Sequence, residues 1–163
     1  MMGDSLPMRK KNRLATFDYS SVGAYFVTIC VANRCHILWN DADTPVTTIE
    51  DIHLNHIGLI VQQGIEQINI RYPHIHVEKF CIMPDHIHLL LLFMPDKNGR
   101  QIAAPTLSSV VGQLKRWVSM QLGFSIWQKS FYDRIIRNDA GFREVWQYID
   151  ENPLKRQLRE HHI

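Results

Sequence analysis

Residues 77–93, VEKFCIMPDHIHLLLLF, predict a β-hairpin. Val77–Met83 and His86–Phe93 are rich in β-branched, aromatic and other apolar residues, as strands are, and only Pro84 and Asp85 separate them. A connection of two residues joins antiparallel strands that are neighbours in one sheet. An antiparallel sheet is therefore expected at the centre of the fold.

The segments before and after the hairpin extend this pattern. Gly23–Ala32 is β-branched and aromatic and predicts an earlier strand. Apolar residues at helical spacing predict a helix over His53–Ile70. A second helix is expected after Thr106 or Ser108, because either side chain can cap its first turn.

The C-terminal third completes the arrangement. A short extended piece is expected around Trp127–Ile136, followed by a last helix that Asp139 caps and that ends near Pro153. The order is then β-α-β-β-α-β-α, which is the split ferredoxin-like pattern with one additional helix. The sequence predicts an α+β protein, with a ferredoxin-like antiparallel sheet, helices packed on one face and an extra C-terminal helix.

Length and composition narrow the class of protein. The chain has 163 residues, 45% hydrophobic and 21% charged, which suits a single globular domain over residues 1–163. Its longest strongly apolar run, Leu89–Met94, is far shorter than the about 20 residues of a membrane span, so no membrane association is expected. Residues 1–13 form a basic arm without the apolar region of a secretory signal. The three cysteines form no CxxC pair, so a reducing cytoplasm fits best.

Basic residues cluster at several points along the chain, although the net charge is only +2. Aromatic residues lie among them, and a groove for single-stranded nucleic acid combines cations for phosphates with rings that stack on unpaired bases. A solvated surface above core aromatics explains the same composition equally well. The candidate DNA-binding residues are Arg13, Lys115, Arg116, Lys129, Phe131, Tyr132, Arg134, Arg137 and Lys155.

His86 and His88 are the sharpest local chemical signal. Alternate residues of a strand share a face, so both imidazoles are expected on the same side of the hairpin. Two imidazoles at this spacing bind a divalent cation when another ligand comes from elsewhere in the chain. An inert polar strand end is the competing interpretation. His74 and His76 have the same spacing with no other sign of a site, so spacing alone does not decide.

The last predicted helix offers the distant partner. Its core-facing stripe is expected to be Phe142, Val145, Trp146 and Ile149. Tyr148 lies at the flank of this stripe, and Asn152 follows one turn later on nearly the same side. Both are therefore positioned to reach a metal held by the strand histidines. The alternative for Tyr148 is a boundary residue with a solvated hydroxyl, and Asn152 precedes Pro153, which disfavours helical backbone.

Four stretches taken together resemble a known family. They are Gly23–Thr28 (GAYFVT), Ile82–His88 (IMPDHIH), Trp127–Asn138 (WQKSFYDRIIRN) and Tyr148–Lys155 (YIDENPLK). The His-Ile-His segment is similar to the His-hydrophobe-His motif of the HUH endonucleases. The whole set resembles the IS200-like Y1 transposases, in particular the REP-associated tyrosine transposases, from Arg13 to about Lys155.

The resemblance implies a ferredoxin-like nuclease that acts on single-stranded DNA, often beside a hairpin, in the bacterial cytoplasm and on the nucleoid when bound to DNA. By position, His86 and His88 would ligate a divalent metal, Mg²⁺ or Mn²⁺, and Asn152 would complete the site. Tyr148 would be the nucleophile of a transposase that forms a 5′-phosphotyrosine and works as a monomer or a homodimer. Residues 41–51 form a longer segment than the smallest members have, and are expected to reshape a DNA-facing loop.

Three other interpretations stay open. Tyr132 is a rival nucleophile, although its basic and aromatic surroundings suit base stacking and no amide follows it one turn later. A non-catalytic DNA-binding or regulatory protein of the same fold would need the basic groove but not Tyr148 with the two histidines. A small hydrolase with a catalytic histidine pair would leave the basic and aromatic segments unexplained.

Overall fold

The computed structural model describes residues 23–40, 48, 52–100 and 105–160, with side chains up to Lys155 in the last helix. Its elements follow the predicted order β-α-β-β-α-β-α. The strands are β1 (Gly23–Cys30), β2 (Ile75–Ile82), β3 (His86–Phe93) and β4 (Tyr132–Ile136). The helices are α1 (His56–Arg71), α2 (Leu107–Leu122) and α3 (Asp139–Glu160), and a 3-10 turn covers Ala32–Arg34.

The four strands form one antiparallel sheet in the order β2-β3-β1-β4. The predicted hairpin is the β2–β3 pair, and the first and third strands are the two central ones. This is the ferredoxin-like arrangement, in which each helix crosses between strands that are not neighbours. The predicted fold class is confirmed.

One face of the sheet belongs to the main core. The odd-numbered residues of β1 and β3 are buried on this face, because successive side chains of a strand point to opposite sides. They belong to the same buried cluster as the apolar residues of α1 and α2. The two helices approach closely at Gly64, where an added Cβ would lie 2.9 Å from Leu114 Cδ1. A pair of helices therefore covers this face, as predicted.

The opposite face carries the even-numbered residues of β1 and β3, including His86 and His88. Helix α3 crosses this face, where Tyr148 contacts His88 and Asp150 forms an ion pair with Lys79 at 2.7 Å. Within α3, Val145 and Ile149 are buried on the sheet. The extra C-terminal helix thus brings its own side chains to the histidine-bearing face.

The ends of the helices differ in part from the predictions. Thr106 caps α2 by accepting a hydrogen bond from the backbone N–H of Ser109. Asp139 is the first residue of α3, and the capping oxygen is Oδ1 of Asn138, which accepts from the N–H of Gly141 at 2.8 Å. The predicted end near Pro153 is wrong, because α3 continues to Glu160. Pro153 is buried, and packing outweighs the backbone hydrogen bond that a proline removes.

The apolar stripe of α3 is narrower than predicted. Trp146 is 39% exposed, and its ring lies beneath Nζ of Lys79, which is 4.5 Å from the ring centroid. Within the part of the chain that the structure covers, no helix is both long and apolar enough to cross a membrane. The basic arm 1–13, with Arg13, and the segment 41–51 apart from Thr48 lie outside the described residues.

Candidate active site

The two histidines converge on one point, as their alternation on β3 predicts. His86 pairs with Cys30 and His88 pairs with Thr28 in the β1–β3 register, so both side chains stand on the face that α3 crosses. Their Nε2 atoms are 3.1 Å apart. His88 is buried at 5% exposure, whereas His86 is partly open to solvent. Two imidazole nitrogens directed at one point are a donor pair that a divalent metal ion can bridge.

Each imidazole is oriented by a partner on its other nitrogen. Nδ1 of His86 lies 2.6 Å from Oδ1 of Asp85, and Nδ1 of His88 lies 2.8 Å from the hydroxyl oxygen of Thr28. An ionised carboxylate only accepts, so Nδ1 of neutral His86 donates and its Nε2 carries the free electron pair. A hydroxyl can donate or accept, so His88 can present either tautomer. Such partners fix the rings of metal-binding histidines.

Burial decides the charge of His88. Desolvation lowers its pKa to about 3, and the neighbouring charges of His86 and Arg34 act in the same direction. Asp85 behaves in the opposite way. Although burial opposes its ionisation, hydrogen bonds and charges from His86 and Arg34 hold its pKa well below the usual range. At neutral pH the site therefore contains an uncharged His88 and an ionised Asp85.

Tyr148 reaches the histidines from α3. Its ring centroid lies 5.4 Å from that of His88 and 5.7 Å from that of Phe26, in both cases with an edge directed at the neighbouring ring. The side chain is 38% exposed and lines a cleft of about 610 Å³ between β4 and α3. The predicted flanking position therefore places a phenol between the buried His88 and an open cleft.

Asn152 lies one turn further along α3 and is buried. It lies near Cys81, which pairs with His88 across the β2–β3 ladder, and burial raises the pKa of the Cys81 thiol to about 12. Nδ2 of Asn152 is buried without a hydrogen-bond partner. A buried polar atom of this kind indicates a missing polar neighbour.

These groups fit a divalent metal. Among the described residues no group of three His, Cys, Asp or Glu side chains is arranged to hold one. The two convergent imidazoles are suitable donors, and the buried amide of Asn152 is the predicted third donor, whose oxygen and nitrogen exchange places by a simple flip. Imidazole and amide oxygen are both ligands of Mn²⁺ and similar ions.

Known proteins of similar sequence and structure were found, although no family model matches the chain. A Haemophilus influenzae protein without a characterised function is 27% identical over 165 residues, covering 90% of this chain and 88% of its own. Another protein of the same organism, provisionally named a REP-associated tyrosine transposase, is 26% identical over 146 residues and is matched over 85% and 74% of the two chains.

Two solved structures share the fold. One is a REP-associated tyrosine transposase bound to a REP hairpin, with a TM-score of 0.61, 21% identity, and coverage of 88% of this chain and 74% of that one. The other, a provisionally named transposase from Deinococcus radiodurans R1, has a TM-score of 0.50, 14% identity, and coverage of 85% and 95%. In sequence the chain is thus similar to a protein provisionally named a REP-associated tyrosine transposase, and in fold it is similar to a solved structure of such a transposase.

Several of the candidate DNA-binding residues surround the cleft. Tyr132 and Arg134 extend from β4 on the same face as the histidines, and Lys155 comes from α3. Tyr132 is 52% exposed, and the guanidinium carbon of Arg134 lies 6.0 Å from the centroid of Phe26. Lys129 and Arg137 are exposed before and after β4. An open ring beside cations is the arrangement that the predicted groove requires.

Other candidate DNA-binding residues lie away from the cleft. Phe131 is 5% exposed and belongs to the core, so its burial contradicts the prediction that it is a DNA-binding residue. Lys115 donates from Nζ to the carbonyl oxygens of Gln128 and Ser130 at 2.7 and 3.1 Å, which ties down the chain before β4. Arg116 is exposed on α2, the helix that covers the opposite face of the sheet.

The sequence analysis did not identify three residues of this site. Thr28 and Phe26 lie in the strand predicted from Gly23, but only the strand register places them beside His88. Asp85 was predicted only as a turn residue, and the signal that could have found it is its position next to His86, since carboxylates commonly orient metal-binding histidines.

Proposed function

We propose that this chain is a metal-dependent endonuclease and strand transferase for single-stranded DNA, acting near hairpins or palindromic repeats. The observation that supports this most directly is the position of Tyr148, whose ring packs against His88 while Nε2 of His88 lies 3.1 Å from Nε2 of His86. A nucleophile and a metal-binding pair are then neighbours at the edge of one cleft. The relatedness to REP-associated tyrosine transposases supports the same reaction class.

His86 and His88 would hold Mg²⁺ or Mn²⁺ through their Nε2 atoms, with Asn152 as a third protein group. When bound, such an ion polarises a phosphate and stabilises the charge that develops on it. The protein prepares the pair by orienting both rings through Asp85 and Thr28. Because His88 stays neutral at physiological pH, its ring keeps one unprotonated nitrogen that can bind a metal.

Tyr148 would attack the scissile phosphorus with its phenolic oxygen. The new bond joins that oxygen to phosphorus, and the bond to the 3′ oxygen of the preceding nucleotide breaks. The phenol loses one proton and the departing 3′ oxygen gains one, so the products are a 5′-phosphotyrosine and a free 3′-hydroxyl. One phosphodiester replaces another, and attack by a new 3′-hydroxyl reverses the step and joins strands without ATP. A covalent intermediate of this kind divides one difficult displacement into two.

The cleft would bind the strand beside the cleaved bond. Tyr132 offers an open ring for an unpaired base, while Arg134 and Lys155 offer charges for phosphates. The hairpin in the related structure belongs to that protein, and we propose a hairpin-bearing strand as substrate here by similarity. The reaction would take place in the cytoplasm, on the bacterial nucleoid.

Adduct formation tests the proposal. Wild-type protein is mixed with a labelled hairpin oligonucleotide that has single-stranded flanks and with Mn²⁺ or Mg²⁺, and covalent protein–DNA adducts are separated on a denaturing gel. Tyr148→Phe should lose the adduct because it lacks the attacking oxygen. Tyr132→Phe is the matched control, since it removes the same hydroxyl from the same cleft and should keep the adduct.

The other outcomes are equally informative. Loss of the adduct in Tyr132→Phe with persistence in Tyr148→Phe would assign the nucleophile to Tyr132. Absence of an adduct in the wild type, together with tight hairpin binding, would contradict the enzymatic function and favour a non-catalytic DNA-binding protein.

A further inference from the structure

The backbone next to the histidine pair is strained at two consecutive residues. Asn33 and Arg34 have φ angles of 56° and 55°, and they are the two non-glycine residues with positive φ in the part of the chain that is described. Asparagine adopts this left-handed region fairly readily, but arginine seldom does. Such strain persists where surrounding contacts enforce it, and it is concentrated at functional sites.

Backbone hydrogen bonds enforce this conformation. The N–H of Val31 donates to the carbonyl of Asp85 at 2.9 Å, and the N–H groups of Ile37 and Leu38 both donate to the carbonyl of Pro84 at 3.0 Å. The segment 31–38 is therefore fastened at both ends to the turn that immediately precedes His86. Within this segment, the 3-10 turn at Ala32–Arg34 directs the side chain of Arg34 towards Asp85.

The side chain of Arg34 continues a chain of contacts to the histidine. Its Nε donates to Oδ2 of Asp85 at 2.8 Å, and Nη1 donates to the sulfur of Cys30 at 3.0 Å. The second carboxylate oxygen, Oδ1 of Asp85, accepts from Nδ1 of His86 at 2.6 Å. Asp85 itself is buried, with 7% of its surface exposed. One carboxylate thus joins a permanently charged guanidinium to an imidazole. Nη2 of Arg34 also lies 3.4 Å from Nδ1 of His86, but the contact of that nitrogen with Asp85 is much shorter at 2.6 Å.

This arrangement favours one tautomer of the neutral His86 ring. A guanidinium stays protonated in proteins, and its fork holds the carboxylate in a single plane. A carboxylate fixed in this way accepts the Nδ1 proton and leaves the electron pair of Nε2 free in the plane of the ring. His88 has only a hydroxyl partner, which accommodates either tautomer. Of the two histidines, His86 is therefore the one whose tautomer is fixed, and its carboxylate partner is held by Arg34.

We propose that Arg34 is a positioning residue for the metal pair. Through Asp85 it holds His86 as the Nδ1–H tautomer and directs the electron pair of Nε2 to the point where the two histidines converge. The proposal rests on the metal site of the proposed function, but it does not depend on cleavage or on the identity of the DNA.

Side-chain nitrogen NMR of the metal-free protein tests the tautomer directly. The ¹⁵N shifts of His86, assigned by comparison with His86→Gln, should show Nδ1 protonated and Nε2 unprotonated in the wild type. Arg34→Gln should give a mixture of the two tautomers, because the released carboxylate can turn away from the ring. Arg34→Lys should be intermediate, since an ammonium keeps the charge near Asp85 without the planar fork.

Calorimetry with Mn²⁺ measures the consequence for the metal. Arg34→Gln and Asp85→Asn should weaken Mn²⁺ binding about 10–100-fold, which is the usual effect of removing a partner behind a metal ligand. Arg71→Gln, at an exposed position on α1, is the matched control and should bind Mn²⁺ like the wild type. Asn33→Gly should also keep wild-type affinity, because glycine adopts the left-handed conformation without strain.

The results separate a positioning role from a merely structural one. A lower melting temperature in Arg34→Gln with an unchanged His86 tautomer and unchanged Mn²⁺ affinity would overturn the proposal. If Arg34→Gln does not fold, Arg34→Lys decides by the same two measurements. No Mn²⁺ binding in the wild type would contradict the proposed metal site, whereas the tautomer shift would still decide what Arg34 does to His86.

Discussion

Acid should destabilise this protein through His88, by an amount that follows from its burial. The imidazole has an ordinary pKa of 6.5 when unfolded and a pKa of about 3 in the fold, because burial disfavours its charge. Between these values the unfolded chain binds a proton that the folded chain does not. The free energy of unfolding therefore falls as the pH decreases, by up to about 1.4 kcal/mol per pH unit. Integrated from pH 7 to pH 5, the loss due to this one residue is about 2 kcal/mol.

Urea denaturation at the two pH values in EDTA measures this loss. The difference in unfolding free energy between pH 7 and pH 5 should be about 2 kcal/mol smaller in His88→Gln than in the wild type. His76→Gln removes an exposed imidazole with the same sequence spacing and should retain the wild-type difference. Equal pH dependence in the wild type and His88→Gln would refute the argument that His88 is buried as a neutral ligand.

Three further predictions follow from the geometry. Gly58→Ala should destabilise the fold by about 1–3 kcal/mol in urea denaturation, because the added Cβ would lie 2.1 Å from the carbonyl oxygen of Leu38. The control is Gly112→Ala, whose Cβ would meet nothing within 4 Å and which should be neutral or slightly stabilising. Equal changes in stability for the two variants would contradict this packing. The double variant His86→Ala/His88→Ala should lose Mn²⁺ binding in calorimetry, while His74→Ala/His76→Ala keeps it; unchanged binding in the first would mean that the metal lies elsewhere. A hairpin with single-stranded flanks should bind more tightly than a closed duplex in a fluorescence anisotropy titration. Arg134→Ala should reduce the slope of log affinity against log salt concentration by about one, because one phosphate contact is lost. Equal affinity for the hairpin and the duplex would argue against the cleft as the DNA-binding site.

The sequence predicted much of the candidate site because that part depends on local periodicity. A strand alternates its side chains, so His86 and His88 had to share a face once β3 was recognised. A helix repeats every 3.6 residues, so Tyr148 and Asn152 had to lie one turn apart on one side. The hairpin with its two-residue connection was also local, and it defined the centre of the sheet.

Predictions that depended on which side chains are buried by contacts between different helices and strands were less successful. Phe131 resembles a stacking aromatic in a basic segment, but its ring belongs to the core. Trp146 fits the apolar stripe by angle, yet it lies outside the buried seam and under Lys79. Pro153 favours a helix end locally, and α3 continues through it because it packs on the sheet. In each case neighbours distant in sequence decided the outcome.

By itself, then, the sequence determined the order of the elements, the shared face of His86 and His88, and the helical spacing of Tyr148, since each follows from the geometry of one element. Only the tertiary structure decided which face of the sheet α3 crosses. It also decided that Thr28 hydrogen-bonds His88, sixty residues away in sequence, and that Arg34 hydrogen-bonds Asp85, the partner of His86. The register of β1 on β3 and the path of residues 31–38 are set by the burial of a whole sheet face. That burial is a property of the assembled core, and no single segment of the sequence carries it.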